Sequence, residues 1–124
     1  MDRDTGAAFE RLFDRLPDLV GPPEPPARLH GDLWAGNLLI AADGAPWLVD
    51  PAPYGGHREV DLAMMRLFGG FGPACYAAYD EAHPLAPGHE ERIGLYQLYP
   101  LLVHVTLFGG GYAGRTAEVV RRYV

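Results

Sequence analysis

The stretch LHGDLWAGNLLI, residues 29–40, places a histidine, an aspartate and an asparagine close together and then continues directly into apolar residues. The apolar run LLIA and a second run, PWLV, flank residues 42–45, which contain an Asp-Gly step typical of a reverse turn. The sequence therefore predicts a β-hairpin that returns the chain to its starting point. Asp50, just after the second arm, is then expected to lie close to Asn37, just before the first.

The rest of the chain is predicted to be mainly helical. Apolar spacing indicates an amphipathic helix over residues 6–16, which the proline-rich segment VGPPEPPARL ends. Shorter helices are expected in EVDLAMMRLF, PACYAAYDEAH and TAEVVRRYV. The stretch EERIGLYQLYPLLVHVTLF predicts a long core helix that Pro100 kinks or splits, with Tyr99 and His104 packed in the core. A single α+β domain over residues 1–124 follows.

Composition argues against several classes of protein. The ten basic residues are all arginines, and the formal charge of −6 argues against a nucleic-acid or anionic-membrane surface, because both need clustered cations. The single cysteine, Cys75, cannot form an internal disulfide. No apolar run reaches the roughly 18 residues of a membrane span. We therefore expect a cytoplasmic protein that binds neither nucleic acid nor membranes.

Asp32 and Asn37 have the spacing of a phosphoryl-transfer loop. Protein kinases place a catalytic aspartate before a metal-binding asparagine with this D-x-x-x-x-N spacing, and a second metal-binding aspartate follows on the next hairpin. In such a loop Asp32 orients a substrate hydroxyl and accepts its proton, and Asn37 and Asp50 supply oxygen ligands suited to Mg²⁺. Each residue alone is more often a turn or capping residue. All three around one hairpin favour the catalytic interpretation.

Four stretches carry a family resemblance: HGDLWAGNLL, LVDPAPYGGHREVDLAMMRLFGGF, CYAAYDEAHPL and ERIGLYQLYPLLVHVTLFGGGY. They resemble the fructosamine kinase (ketosamine 3-kinase) family, a branch of the aminoglycoside phosphotransferase-like, choline-kinase-like group with a protein-kinase-like fold. The resemblance extends over roughly residues 27–112. The H-G-D-x-x-x-x-N part is shared by the whole group, whereas YGGHREVDLAM with LFGGF favours the fructosamine branch.

The resemblance implies ATP-dependent phosphorylation of a sugar hydroxyl on a fructosamine or related ketoamine, small or protein-bound, with Mg²⁺ as the metal ion. Asp32 matches the family's catalytic aspartate, and Asn37 and Asp50 match its metal-binding pair. Asp61 matches an aspartate that braces the catalytic loop, although a helix first-turn residue favoured by the dipole is an equal and compatible interpretation. By analogy with the kinase loop, His30 is interpreted as structural support.

Substrate contacts are expected around the loop and after the hairpin. Trp34 projects from the loop, where its ring face is suited to cover a sugar or its amine-bearing arm, and a partly buried core tryptophan is the alternative. Four more candidates follow the hairpin in a glycine-containing loop suited to polar contacts with a polyol: Tyr54, His57, Arg58 and Glu59. A solvated loop is the alternative for these four, and Glu59 is equally suited to begin a helix.

The residues before Asp32 lack the parts of a nucleotide-binding lobe. A kinase needs a glycine-rich loop over the phosphates and a lysine on a strand, whereas the upstream segment is predicted to be one helix and a proline-rich connection without lysine. We therefore expect the C-terminal lobe of a kinase-like fold, inactive unless an N-terminal nucleotide lobe is supplied in cis or in trans, with apolar surface exposed along its cleft. Two alternatives stay open: a free-standing module that binds a sugar or a protein without catalysis, and a related phosphotransferase lobe for aminoglycosides or choline.

Overall fold

The structure, a computed structural model, describes all of residues 1–124 and contains five helices and four short strands. The helices are α1 (Arg3–Leu19), α2 (Arg58–Leu67), α3 (Pro73–Ala82), α4 (His89–Phe108) and α5 (Gly111–Arg121). The strands, all between α1 and α2, are β1 (Ala27–Leu29), β2 (Leu38–Ile40), β3 (Pro46–Leu48) and β4 (Tyr54–Gly56). The predicted mainly helical α+β class is confirmed.

The strands form two separate antiparallel ribbons. In the first, β2 pairs with β3 so that Leu38 lies opposite Leu48, which is the hairpin that the sequence predicts. Its turn depends on Gly44, whose φ of +84° is disfavoured for other residues. In the second ribbon β1 pairs with β4, and Leu29 lies opposite Tyr54. The sequence did not predict this second ribbon, because each strand has three residues and the two are distant along the chain.

The hydrophobic core lies between α1, α2, α4 and α5. Nine buried residues form it: Ala8, Leu12, Met64, Leu67, Leu95, Leu98, Leu101, Val119 and Val120. Helix α1 is longer than predicted, because Asp2 caps its N-terminus by accepting a hydrogen bond from Thr5 N at 2.7 Å and because Pro17 lies near its end without ending it. No helix combines the length and hydropathy that crossing a lipid bilayer requires.

Helix α4 is continuous through Pro100, so the proline does not split it. Its leucines contribute to the core, but its last turn does not: Leu107 and Phe108 are 67% and 69% exposed. Tyr99 is 72% exposed, so the prediction that it packs in the core was wrong. The helix is apolar on more than one face, and only one face contacts the core.

The hairpin β2–β3 is apolar and exposed. Leu39, Ile40, Trp47 and Leu48 each expose more than half of their surface, with values of 56%, 64%, 62% and 54%. Exposed apolar patches of this kind mark surfaces that contact a ligand or another protein segment.

Candidate active site

Asp32 and Asn37 contact each other directly. Asn37 is buried, in a 3₁₀ turn over Ala35–Asn37, and its Nδ2 donates to the Asp32 carbonyl at 2.9 Å and to the carboxylate Oδ2 at 3.3 Å. Both hydrogen bonds use the nitrogen of the amide. The amide oxygen Oδ1 therefore stays available as an acceptor or metal ligand.

Asp50 lies beside this pair, as the hairpin predicts. The antiparallel pairing extends past β2 and β3, and Val49 N donates to the Asn37 carbonyl at 2.9 Å. Asp50 is the one non-glycine residue of the chain with a positive φ, +48°. Such a conformation costs about 1–3 kcal/mol and persists where the surrounding structure imposes it, often at functional sites. Its exposed carboxylate accepts no hydrogen bond from the protein and faces solvent freely.

His30 connects the loop to the end of the hairpin. Asp32 N donates to Nδ1 of His30 at 3.2 Å, and the other ring nitrogen, Nε2, lies 2.7 Å from the Val49 carbonyl. Because a carbonyl can only accept, Nε2 carries the proton and Nδ1 is the acceptor. The His30 ring, in this tautomer, therefore connects the backbone of Asp32 to that of Val49, the residue before Asp50.

Asp61, in the first turn of α2, holds the other side of the loop. Its carboxylate accepts hydrogen bonds from His30 N at 2.7 Å and from Gly31 N at 3.1 Å. Gly31 has a φ of +87°, and a Cβ there would lie 1.9 Å from the Ala52 carbonyl oxygen. A glycine is therefore required at this close approach, and the Asp61 carboxylate anchors the peptide groups immediately before Asp32.

A cleft of about 110 Å³ opens beside Asp32. Its lining residues come from the loop, β4, α2 and α4: Gly31, Asp32, Tyr54, Val60, Asp61, Met64, Tyr99, Pro100, Val103 and His104. Partial burial raises the pKa of the Tyr54 phenol, and the Asp61 carboxylate nearby raises it further. The cleft thus combines one carboxylate available to a ligand, Asp32, with phenol and imidazole groups that can contact a polyhydroxy compound.

Trp34 lies next to this cleft but does not line it. Its ring lies over Gly36, where a Cβ would approach the ring to 2.2 Å, and packs edge-on against Phe68 with centroids 6.2 Å apart. The Phe68 ring lies 5.1 Å from that of His104, which does line the cleft. At 40% exposure, Trp34 is an accessible surface residue rather than a core tryptophan.

The three loop candidates that follow Tyr54 form a separate ionic cluster. Arg58 donates to both carboxylate oxygens of Glu24 at 2.9 to 3.2 Å, and these bonds raise its pKa. Arg92 donates to both oxygens of Glu59 at 2.9 and 3.1 Å. His57 caps α2 by accepting from Glu59 N at 3.2 Å. These side chains join α2 to the proline-rich connection and to α4, so the structure does not bring them to the cleft beside Tyr54.

Sequence reasoning missed the wall that α4 contributes to the cleft. Tyr99, Pro100, Val103 and His104 line it, although the sequence assigned Tyr99 and His104 to the core. His104 is half-buried, with Nδ1 donating to the Pro100 carbonyl at 2.7 Å. The signal was available: pairs at i, i+4 place these four side chains on one helical face.

The oxygen donors of the site suit a magnesium ion. No group of three or more histidine, cysteine, aspartate or glutamate side chains is placed to hold a metal ion. The available ligands are Asn37 Oδ1 and the Asp50 carboxylate. Mg²⁺ is commonly bound by one or two protein oxygen ligands together with water and substrate phosphates, whereas a structural zinc site needs four protein ligands.

Comparison with known sequences gives the family. The sequence model of the fructosamine kinase family matches residues 3–124. The chain belongs to this family. A "Probable ketoamine kinase" from Lactiplantibacillus plantarum is 48% identical over 98 residues, which cover 79% of this chain and 35% of that protein. Ketosamine-3-kinase from Mus musculus is 42% identical over 121 residues, which cover 97% of this chain and 39% of that protein.

A solved structure shows the same arrangement of elements. The crystal structure of a Thermobifida fusca YX-ER1 protein, provisionally named a fructosamine-3-kinase, matches with a TM-score of 0.91 and 48% identity. The match covers 98% of this fructosamine kinase family chain and 42% of the crystallised one. The chain therefore spans well under half the length of these relatives.

Proposed function

We propose that the protein containing this chain is a ketoamine kinase in which Asp32 is the catalytic base. The observation that carries this proposal is the hydrogen bond from Asn37 Nδ2 to Asp32 Oδ2, which ties the base to the metal-binding residue. In the proposed step the sugar hydroxyl oxygen forms a bond to the γ-phosphorus of ATP while the bond from that phosphorus to the β–γ bridging oxygen breaks. The hydroxyl proton passes to the free oxygen of the Asp32 carboxylate.

Asn37 Oδ1 and the Asp50 carboxylate are the proposed ligands of the metal ion. Mg²⁺ at this position would neutralise negative charge on the phosphates during transfer. The positive φ of Asp50 supports the assignment, because a strained residue with a free carboxylate is more easily explained by function than by folding. His30 and Asp61 serve as positioning residues, since they contact the loop rather than the reacting atoms.

The cleft beside Asp32 is the proposed ketoamine site. Tyr54 and Tyr99 line it, and phenol groups both donate to and accept from sugar hydroxyls. Trp34 is exposed at its margin and is suited to cover the ring or the amine-bearing arm. We assign His57, Arg58 and Glu59 to the scaffold. Arg58 donates to Glu24, Glu59 accepts from Arg92, and His57 Nδ1 accepts from Glu59 N in the turn that begins α2.

The chain corresponds, in this proposal, to the C-terminal lobe of a kinase-like fold, as one domain over residues 1–124. Its partial coverage of longer relatives and its exposed apolar hairpin β2–β3 support this assignment. A nucleotide-binding lobe, in the same protein or in a partner, would supply the phosphate clamp and cover the hairpin. The chain by itself is then expected to be inactive.

The test is a phosphoryl-transfer assay on the protein at its native length. Radiolabelled ATP and Mg²⁺ are supplied with fructoselysine, and kanamycin and choline serve as comparison acceptors. Transfer to fructoselysine in preference to the others supports the proposal. Transfer only to kanamycin or choline would assign a related phosphotransferase, and fructoselysine binding without any transfer would assign a binding module.

A further inference from the structure

A second cavity lies on the opposite side of α2 from the cleft. Helices α2, α3 and α4, with Leu85 of the segment after α3, line a space of about 190 Å³ that is open to solvent on one side, and we call it the α3 cavity. Leu62 and Ala63 of α2 line the α3 cavity, whereas Val60 and Met64 line the cleft. At 100° per residue the mean directions of these two pairs are about 130° apart, so α2 lies between the two spaces.

The α3 cavity exists because α3 is held away from the core. No residue of α3 is buried. Side-chain contacts from α2 hold the helix instead: Arg66 lies over the Tyr76 ring at 3.8 Å from its centroid, and Arg58 donates to the His83 carbonyl at 2.7 Å just after the helix. These contacts connect α3 to α2, but no side chain of α3 is buried in the space between the two helices.

The walls of the α3 cavity suit an aromatic ring. Apolar side chains and three tyrosines line it, among them Leu62, Ala63, Ala77, Tyr76, Tyr79 and Tyr96. Partial burial raises the pKa of both Tyr76 and Tyr96. Apolar cavities of about 150 Å³ are large enough to bind benzene, so this volume accommodates a ring with a short substituent.

The charges that line the cavity favour a cation. Asp80 and Glu90 both line it, both are exposed to solvent, and neither forms a salt bridge in the chain. Asp80 Oδ1 accepts from Leu85 N at 2.8 Å, which leaves Oδ2 available. Glu59 is paired with Arg92, so the remaining lining cation is Arg66, whose guanidinium lies over the Tyr76 ring, and His89 is the other titratable residue of the lining. The two unpaired carboxylates therefore outnumber this one cation.

We propose that the α3 cavity binds a small aromatic amine. The ring lies among the apolar side chains between α2 and α4, and the ammonium group donates to the carboxylates of Asp80 and Glu90. The site is separated from the cleft by α2 and does not rest on the proposed kinase activity. It therefore constitutes a second binding site.

The experiment measures the binding of 2-phenylethylamine to the protein at its native length by isothermal titration calorimetry. Phenylacetate, with the opposite charge, and ethylbenzene, with none, are the comparison ligands. Asp80→Asn keeps the acceptor for Leu85 N but removes the charge, and we expect it to weaken amine binding about two- to fivefold, the range for an exposed ion pair. Ala77→Phe, at an exposed helical position, is expected to fill the cavity and abolish binding. Glu81→Gln, on the same helix but outside the cavity, is the matched control and should leave the affinity unchanged.

The outcomes separate the proposal from its alternatives. Nuclear Overhauser contacts from the amine ring to the Ala63 methyl group provide a readout that needs no variant and holds even if Ala77→Phe fails to fold. Preferential amine binding with these contacts supports the proposal. No binding, contacts elsewhere, or equal affinity for ethylbenzene and the amine would overturn it.

Discussion

The Asp61 carboxylate accepts hydrogen bonds from two consecutive backbone amides: His30 N donates to Oδ2 at 2.7 Å, and Gly31 N donates to Oδ1 at 3.1 Å. One side chain of α2 therefore fixes the backbone two residues before Asp32. Because α2 packs in the core through Met64 and Leu67, the position of the loop is tied to the hydrophobic core. This connection explains how a short irregular loop presents a carboxylate at a defined place.

Asp32→Asn tests the proposed base. Asparagine keeps a side-chain oxygen that can accept from Asn37, so the folded structure should be preserved, but it cannot take a proton. In the protein at its native length we expect kcat to fall by about 10³-fold, within the range for loss of a general base. The assay is ketoamine-dependent ADP release, with circular dichroism as the folding check. Asp14→Asn, at an exposed position of α1 outside both the cleft and the hairpin, is the control and should retain full activity. Retained turnover in Asp32→Asn would remove this residue from the chemistry.

Asp50→Gly separates strain from function. Glycine adopts a φ of +48° without steric cost, so we expect the variant to be more stable by up to about 1 kcal/mol in urea unfolding. The same variant lacks the proposed metal ligand. Mg²⁺-dependent nucleotide binding by the native-length protein should therefore weaken. A variant that is less stable and binds nucleotide normally would contradict both parts of the prediction.

Gly31→Ala and Gly44→Ala form a matched pair. Both glycines have a φ near +85°, with values of +87° and +84°, but a Cβ at Gly31 would lie 1.9 Å from the Ala52 carbonyl oxygen and a Cβ at Gly44 would meet nothing within 4 Å. Gly44→Ala should cost only the left-handed backbone penalty, about 1 kcal/mol. Gly31→Ala should cost at least about 2 kcal/mol more, because backbone must move. Urea unfolding measures both, and equal losses would show that the close approach to Ala52 does not require a glycine.

Glu59→Gln tests the ionic cluster that joins α2 to α4. Glu59 and Arg92 are both buried, and their paired hydrogen bonds raise the pKa of Arg92. Removing one charge leaves a buried guanidinium without its counter-ion, so we expect a loss of about 3 kcal/mol or more. Glu118→Gln removes the exposed partner of Arg122 and should cost less than about 0.5 kcal/mol. If Glu59→Gln behaves like Glu118→Gln, the cluster does not stabilise the fold.

Local signals explain what could be predicted from sequence. The turn at Asp43 and Gly44 depends on adjacent residues, so it could be predicted. A hairpin with this turn places Asn37 and Asp50 at the same end, so their proximity could be predicted as well. The helices followed from apolar spacing in the same way, except that α5 begins at Gly111, five residues before the predicted start at Thr116. Pairing of Leu29 with Tyr54 could not be predicted, because it joins two short strands across a long loop and depends on the tertiary structure.

The wrong prediction about which face of α4 is buried has a different cause. Its sequence is apolar nearly all round, and periodicity cannot tell a buried face from one that lines a cleft. Which face is covered depends on where α2 and α5 pack, and this is a property of the whole domain. The error placed Tyr99 in the core, whereas the structure leaves it exposed beside Asp32.

Tyr99→Ala tests whether this exposed residue binds the ketoamine. Tyr99 supports no core packing, so the variant should fold normally, and its aromatic ring is expected to interact equally with the ground state and the transition state. We therefore expect KM for the ketoamine to rise about three- to tenfold with kcat little changed, and KM for ATP to stay constant. Steady-state kinetics with each substrate varied measures this split. Leu107→Ala, at an equally exposed position of α4 outside the cleft, is the control. If Tyr99→Ala matches Leu107→Ala while Asp32→Asn is inactive, the kinase assignment stands and the ketoamine lies elsewhere along the cleft.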